Sequence, residues 1–189
     1  MRKYVLIGVA SMASAEFQGN VLLRHNVVHF VMALLVYAVL SMLAFWVGRR
    51  LVNEWRFYVV GGLLGLVAIE WWLIGFYPGS GKPGIHAAMF TNWAAVFSLP
   101  RFFTSPQVEP ALRRKVRRIM IAYSFGAPLL VIALPIPPGG TVAILMTIYS
   151  LMLGFALVPF LAATPDGARR VRRTLQFLTV AAVANVLLW

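Results

Sequence analysis

The chain has 189 residues, of which 61% are hydrophobic and only 12% charged, and its mean hydropathy is +0.82. A soluble domain cannot hide that much apolar surface, so the composition predicts an all-α, polytopic membrane protein with no separate soluble domain. The formal charge of +12 would suit nucleic acid, but the basic residues sit beside the ends of apolar runs. That placement argues for anionic lipid headgroups as partners and against nucleic acid. The absence of Cys excludes disulfides, thiolate catalysis, Cys-ligated zinc and iron–sulfur clusters.

Residues 1–26 read as a targeting-like or interfacial segment ahead of a single transmembrane domain, 27–189. Arg2 and Lys3 give a basic start, an apolar run follows, and Ala13-Ser14-Ala15 resembles a cleavage site. A retained extra helix is the favoured expectation over a cleaved signal. Six spans follow, at 27–47, 57–77, 85–100, 119–135, 142–163 and 174–189. A bilayer asks for about 20 apolar residues per helix, so the third and sixth are short, and the third is expected either to extend into Phe102 and Phe103 or to tilt less.

The connections alternate in character. Those at 48–56, 101–118 and 164–173 hold most of the Lys and Arg, whereas 78–84 and 136–140 are Pro/Gly turns. Short loops rich in Lys and Arg stay cytoplasmic, so the six spans form three hairpins with basic links inside. Gly79-Ser80-Gly81-Lys82 lacks the full spacing of a phosphate-binding loop. Pro100 and Pro106 repeat the spacing of Pro159 and Pro165. The reading preferred here is that prolines end helices and arginines anchor them, without ancestry.

Acidic residues and histidines are few, so each is informative. Glu54, Glu109 and Asp166 lie in basic loops, where pairing with Arg is expected, and Glu16 falls in the N-terminal segment. Glu70 lies inside the second span, where a carboxylate normally faces a partner, a cavity or a pathway. His25 and His29 stand four apart at the start of the first span, and share a face if the helix already begins at His25. His86 starts the third span. Topology puts His25, His29, His86 and Glu70 in the non-cytoplasmic half, which makes them the candidate ligand or cofactor site. Heme ligation by two histidines, His–Glu metal binding and proton movement all fit such residues. No H-E-x-x-H, G-x-S-x-G or intraspan Lys supports a metalloenzyme, hydrolase or retinal protein.

Gly61 and Gly65 form a GxxxG that permits close helix approach. Glu70, five residues on, is about 140° round an α-helix and so expected to face another neighbour. Trp46, Trp55, Tyr77, Trp93 and Trp189 read as interface anchors. Asn92 and Asn185 are placed to hydrogen-bond between helices.

The leading functional expectation is an integral membrane subunit of a larger assembly, or a homo-oligomer, that binds a hydrophobic or amphipathic cofactor such as heme or quinone. The alternatives are a small oligomeric transporter or channel using Glu70, and a lipid-modifying enzyme using Glu70 and His86. Enzymatic activity is left open. The topology itself has a direct test: a reporter fused at Ser80 is expected on the non-cytoplasmic side, and a cytoplasmic Ser80 would invert the assignment.

Overall fold

Prolines and short polar side chains mark where the helices begin. The computed structural model describes residues 1–51, 53–73, 83–133, 138–162 and 164–187, and among these the chain forms seven helices and no strand. Helix α1 runs Arg2–Leu23, its last part, Phe17–Leu23, wound as a π-helix. Helix α2 is Val27–Gly48; α3 is Glu54–Leu64 and continues as the π-helical segment Gly65–Leu73. Then come α4 (Pro83–Thr104), α5 (Pro110–Ala133), α6 (Pro138–Leu161) and α7 (Pro165–Leu187). Each of these last four opens on proline, whose missing N–H costs nothing in the first turn. Asn26 and Asn53 cap α2 and α3 by accepting from the amides of His29 and Arg56, both at 2.9 Å. Thr164 caps α7, its Oγ1 accepting from the Gly167 amide at 3.1 Å.

The six expected segments lie on helices over most of their described length, with Ala162 of the fifth beyond the end of α6, and the segment read as targeting-like forms a further helix. Four helical stretches are long and apolar enough to cross a membrane: Arg2–Leu23, Val27–Gly48, Pro110–Ala133 and Ile144–Leu161. Residues 78–82 and 136–137 of the expected Pro/Gly turns, with Tyr77 and Trp189, lie outside the described residues, while Pro83-Gly84 and Pro138-Gly139-Gly140, expected as turn, are the first residues of α4 and α6. Pro100 and Pro159 sit inside α4 and α6 rather than ending them. The threonines that follow these prolines play different parts: Thr104 Oγ1 donates back to the Pro100 carbonyl at 2.7 Å, whereas Thr164 is a cap.

The bundle is built around α4. It packs on α1, α2, α3, α6 and α7, and from Thr91 to Pro100 every residue is buried. A helix enclosed on all sides by protein needs no lipid-facing apolar stripe, which explains why the third segment is both short and relatively polar. It does extend through Phe102 and Phe103. Outward faces carry the opposite chemistry. Val28, Leu35 and Trp46 on α2, Phe125 and Ile132 on α5, and Phe177 and Val180 on α7 are exposed, while Gln18, Thr91, Asn92, Ser98 and Ser150 are buried. Apolar groups outside and polar groups inside invert the pattern of a water-soluble bundle.

Antiparallel packing of α3 on α4 rests on glycine. A Cβ at Gly61 would stand 3.1 Å from Phe97 Cβ, and one at Gly65 would overlap the Trp93 side chain. The GxxxG is therefore an internal contact between neighbouring helices. The expectation that Gly65 and Glu70 face different neighbours is overturned, since both meet Trp93. The cause is the π-helical winding of Gly65–Leu73. Hydrogen bonds from i to i+5 return the fifth residue to the same face.

The basic end is tied by Arg101. Its guanidinium donates to the carbonyls of Gly48 (2.9 Å) and Leu51 (2.6 Å), pairs with Glu54 at 2.7 Å, and lies over the Phe57 ring. It thus closes the open carbonyls at the end of α2 while fixing the start of α3. Tyr4 packs edge-on against Phe45 near this end, so Arg2 and Lys3 join the other basic residues. Of the other loop acids, Asp166 lies 4.0 Å from Arg169. Glu109 has no ion pair among the described residues, contrary to expectation.

A matched pair of substitutions tests the α3–α4 contact. Gly65→Ala is expected to cost about 1–3 kcal/mol by overpacking against Trp93. Gly126→Ala on α5, where a Cβ meets nothing within 4 Å, should gain up to about 1 kcal/mol from helix propensity. Thermal unfolding in detergent reads both, and equal effects would refute the close-approach role of Gly65.

Candidate functional site

Two carboxyl groups far apart in sequence meet the same aromatic pair. Glu16 stands on α1 at the entry to its π-helical end, and Glu70 lies within the π-helical part of α3. Tyr37 of α2 donates its hydroxyl to Glu16 Oε1 at 2.9 Å, and Asn20 Nδ2 donates to Glu16 Oε2 at 2.7 Å. Trp93 of α4 donates its indole N–H to Glu70 Oε1 at 2.7 Å. The Tyr37 and Trp93 rings stack on each other with centroids 5.4 Å apart. The chain of contacts therefore runs Glu16, Tyr37, Trp93, Glu70 and draws on four helices. The two carboxyl groups are within electrostatic reach of each other, and Arg24 is within reach of Glu16.

The donors are unequally shared. Both oxygens of Glu16 accept a hydrogen bond, whereas Glu70 Oε2 has no hydrogen-bond partner among the described residues. π-Helical turns are uncommon and concentrate where a helix must aim a particular side chain. Here one such turn follows Glu16 and another carries Glu70.

A polar layer continues beside the pair. Asn92 accepts from Ser150 Oγ at 3.1 Å, linking α4 to α6 as expected for this residue. Asn185 lies in α7. Gln18 is fully buried and donates to the Ser14 carbonyl at 3.1 Å. Tyr123 of α5 stacks on Tyr149 of α6 with centroids 3.9 Å apart. Gln18 lies towards the end opposite Arg101, and Asn92, Tyr123, Tyr149 and Ser150 stand near the middle of α4, α5 and α6.

The four expected site residues separate. Glu70 turns inward onto Trp93. His86 accepts through Nδ1 from the Trp71 indole N–H at 3.2 Å, the rings edge to face. His25 and His29 are exposed. The shared-face reading of these two fails because α2 starts only at Val27. His25 occupies the turn before it with φ of 51°, a left-handed conformation that His tolerates better than most residues. No described contact joins His25 or His29 to Glu70 or His86.

Sequence reading missed Glu16, Tyr37 and Trp93. Trp93 reads as an interface anchor in the sequence, yet it is a core residue, 2% exposed. Glu16 falls in the segment that reads as targeting-like. The available signal was the polar spacing of Glu16, Gln18 and Asn20 in an otherwise apolar stretch. Trp46 is exposed, with Arg49 over its ring. Trp55 is half-buried and stacks on Tyr58.

No protein-family model, curated protein or solved structure matches the chain.

The Trp93–Glu70 bond has an energetic signature. Trp93→Phe removes the donor and leaves a buried acceptor unpaired, at an expected cost of about 1–3 kcal/mol. Adding Glu70→Leu removes the stranded group as well and should recover part of that loss. Strictly additive losses in the double variant would show that the bond does not couple the two residues.

Proposed function

We propose that this chain is an integral membrane protein, its basic helix ends cytoplasmic, and that it moves protons through the Glu16–Glu70 pair as a small transporter or channel. The inside-out distribution of polar and apolar side chains supports the membrane reading, and the regular return of basic residues to one end of the bundle supports the orientation. The observation that carries the function is the linkage of the buried Glu70 to the half-buried Glu16 through Trp93 and Tyr37. Buried acids within a membrane span mark ion or proton pathways.

The donor pattern favours protons over metal ions. A cation needs carboxylate oxygens turned towards it, but three of these four oxygens already accept from Tyr37, Asn20 and Trp93. Two donors on Glu16 suit a carboxylate that keeps its charge. Glu70, with one donor and one open oxygen, is the group placed to take and release the proton. Tyr37, bonded to Glu16 and stacked on the ring that holds Glu70, couples the two states.

The cofactor-binding reading has less support. His25 and His29 are exposed, and His86 is engaged by Trp71, so heme ligation by a histidine pair draws on no described contact. Lipid modification by Glu70 and His86 would need the two side chains together, and they lie on different tryptophans. Assembly with further copies or other membrane subunits is compatible with the exposed apolar face of α2.

The test is an imposed pH gradient across proteoliposomes, read by an entrapped dye. The wild type is expected to dissipate the gradient and Glu70→Gln to fall to the protein-free rate, because glutamine keeps the Trp93 bond and loses the proton. Infrared spectroscopy should show a protonated carboxyl band that Glu70→Gln removes and Glu16→Gln retains. Unchanged proton flux in Glu70→Gln would sink the proposal.

A further inference from the structure

Helix α5 enters the bundle on a cationic face that opens onto an apolar groove. Arg114, Lys115 and Arg118 fall at positions that share one side of the helix, and all three are exposed. None has a carboxylate partner among the described residues, in contrast to Arg101 with Glu54 and Arg169 with Asp166. The three line a cavity of about 550 Å³. A second cavity, about 400 Å³, continues from it between α5 and α6. Lys115, Ile119 and Met152 belong to both, so the cationic mouth and the groove are continuous. Beyond Lys115 the lining is apolar, with Ile119, Met152 and Phe155 along it.

That combination selects its occupant. Three unpaired cations attract a phosphate-bearing headgroup, each worth most where an anionic leaflet lies against it. A free phosphate would leave the adjoining apolar groove unused. A neutral lipid would leave the cations unpaired. We infer that the α5–α6 groove binds one anionic glycerophospholipid, its phosphate held by Arg114, Lys115 and Arg118 and an acyl chain laid along Ile119, Met152 and Phe155. The site rests on the membrane reading above and is separate from the carboxyl pair, which lies towards the other end of the bundle. It also goes beyond a general attraction of basic loops to lipid, because it assigns the binding to one helix pair.

The experiment uses the full chain in nanodiscs of mixed phosphatidylglycerol and phosphatidylcholine, with native mass spectrometry of the lipids retained on release. The wild type is expected to keep phosphatidylglycerol in preference. The triple variant Arg114→Gln, Lys115→Gln, Arg118→Gln should lose that preference about tenfold or more. The triple variant Arg170→Gln, Arg172→Gln, Arg173→Gln, with the same change in net charge, should keep it. Met152→Trp fills the groove without altering charge and is expected to weaken retention as well. Equal losses in both triple variants would reduce the effect to bulk charge and overturn the site. So would full retention in Met152→Trp, or displacement of the lipid from wild type by inorganic phosphate. A chain that does not enter nanodiscs sinks the membrane reading and the site together, and insertion is scored separately by co-flotation.

Discussion

The indole of Trp93 is the constraint on which the other contacts depend. One side of its side chain is set against Gly65, which leaves room for no Cβ there. Its N–H is committed to Glu70, and its ring stacks on Tyr37 and on Phe97. A single rigid side chain on the central helix thus sets the distance of α3, the register of α2 and the direction of a buried carboxyl group. Aromatic stacking contributes about 0.5–1.5 kcal/mol per pair beyond area burial. The larger consequence is geometric: moving Trp93 would disturb the packing and the site together.

The two ends of the bundle handle charge differently. At the basic end, Arg101 spends its donors on the carbonyls of Gly48 and Leu51 and on Glu54, so a cation replaces missing helix hydrogen bonds. Towards the other end the charge is acidic and enclosed by aromatic rings and amides. Between them run layers of apolar side chains such as Leu99, Leu153 and Leu157. An enclosed carboxyl group is costly unless donors or a proton compensate it. The uneven supply of donors to Glu16 and Glu70 is what makes a proton-exchanging pair out of two otherwise similar residues.

Much of the architecture was legible in the chain. Apolar runs of the right length became helices, and Asn92 bridges to α6 as its isolated polarity suggested; the prolines went the other way, since Pro83, Pro138 and Pro165, expected in turns or at helix ends, open α4, α6 and α7. Glu70 stood out because an acid in an apolar run needs a partner. The partner was not legible. Trp93 resembles an interface anchor when only its distance from a span end is considered, and Glu16 resembles part of a targeting segment when only the basic start and small residues nearby are considered. The π-helical winding left no periodic mark strong enough to separate it from α-helix, so the placement of Glu70 relative to Gly65 came out wrong.

Sequence by itself determined the class and the grain of this protein: helices, their approximate limits, the gathering of Arg and Lys at alternate connections, and the rarity of acids. Those properties are local, arising from side-chain hydropathy, the missing amide of proline and the reach of a capping side chain. Tertiary structure alone decided which acid meets which aromatic ring. Glu16 and Glu70 are brought to one site by the stacking of Tyr37 on Trp93, an interaction between helices that no spacing along the chain encodes.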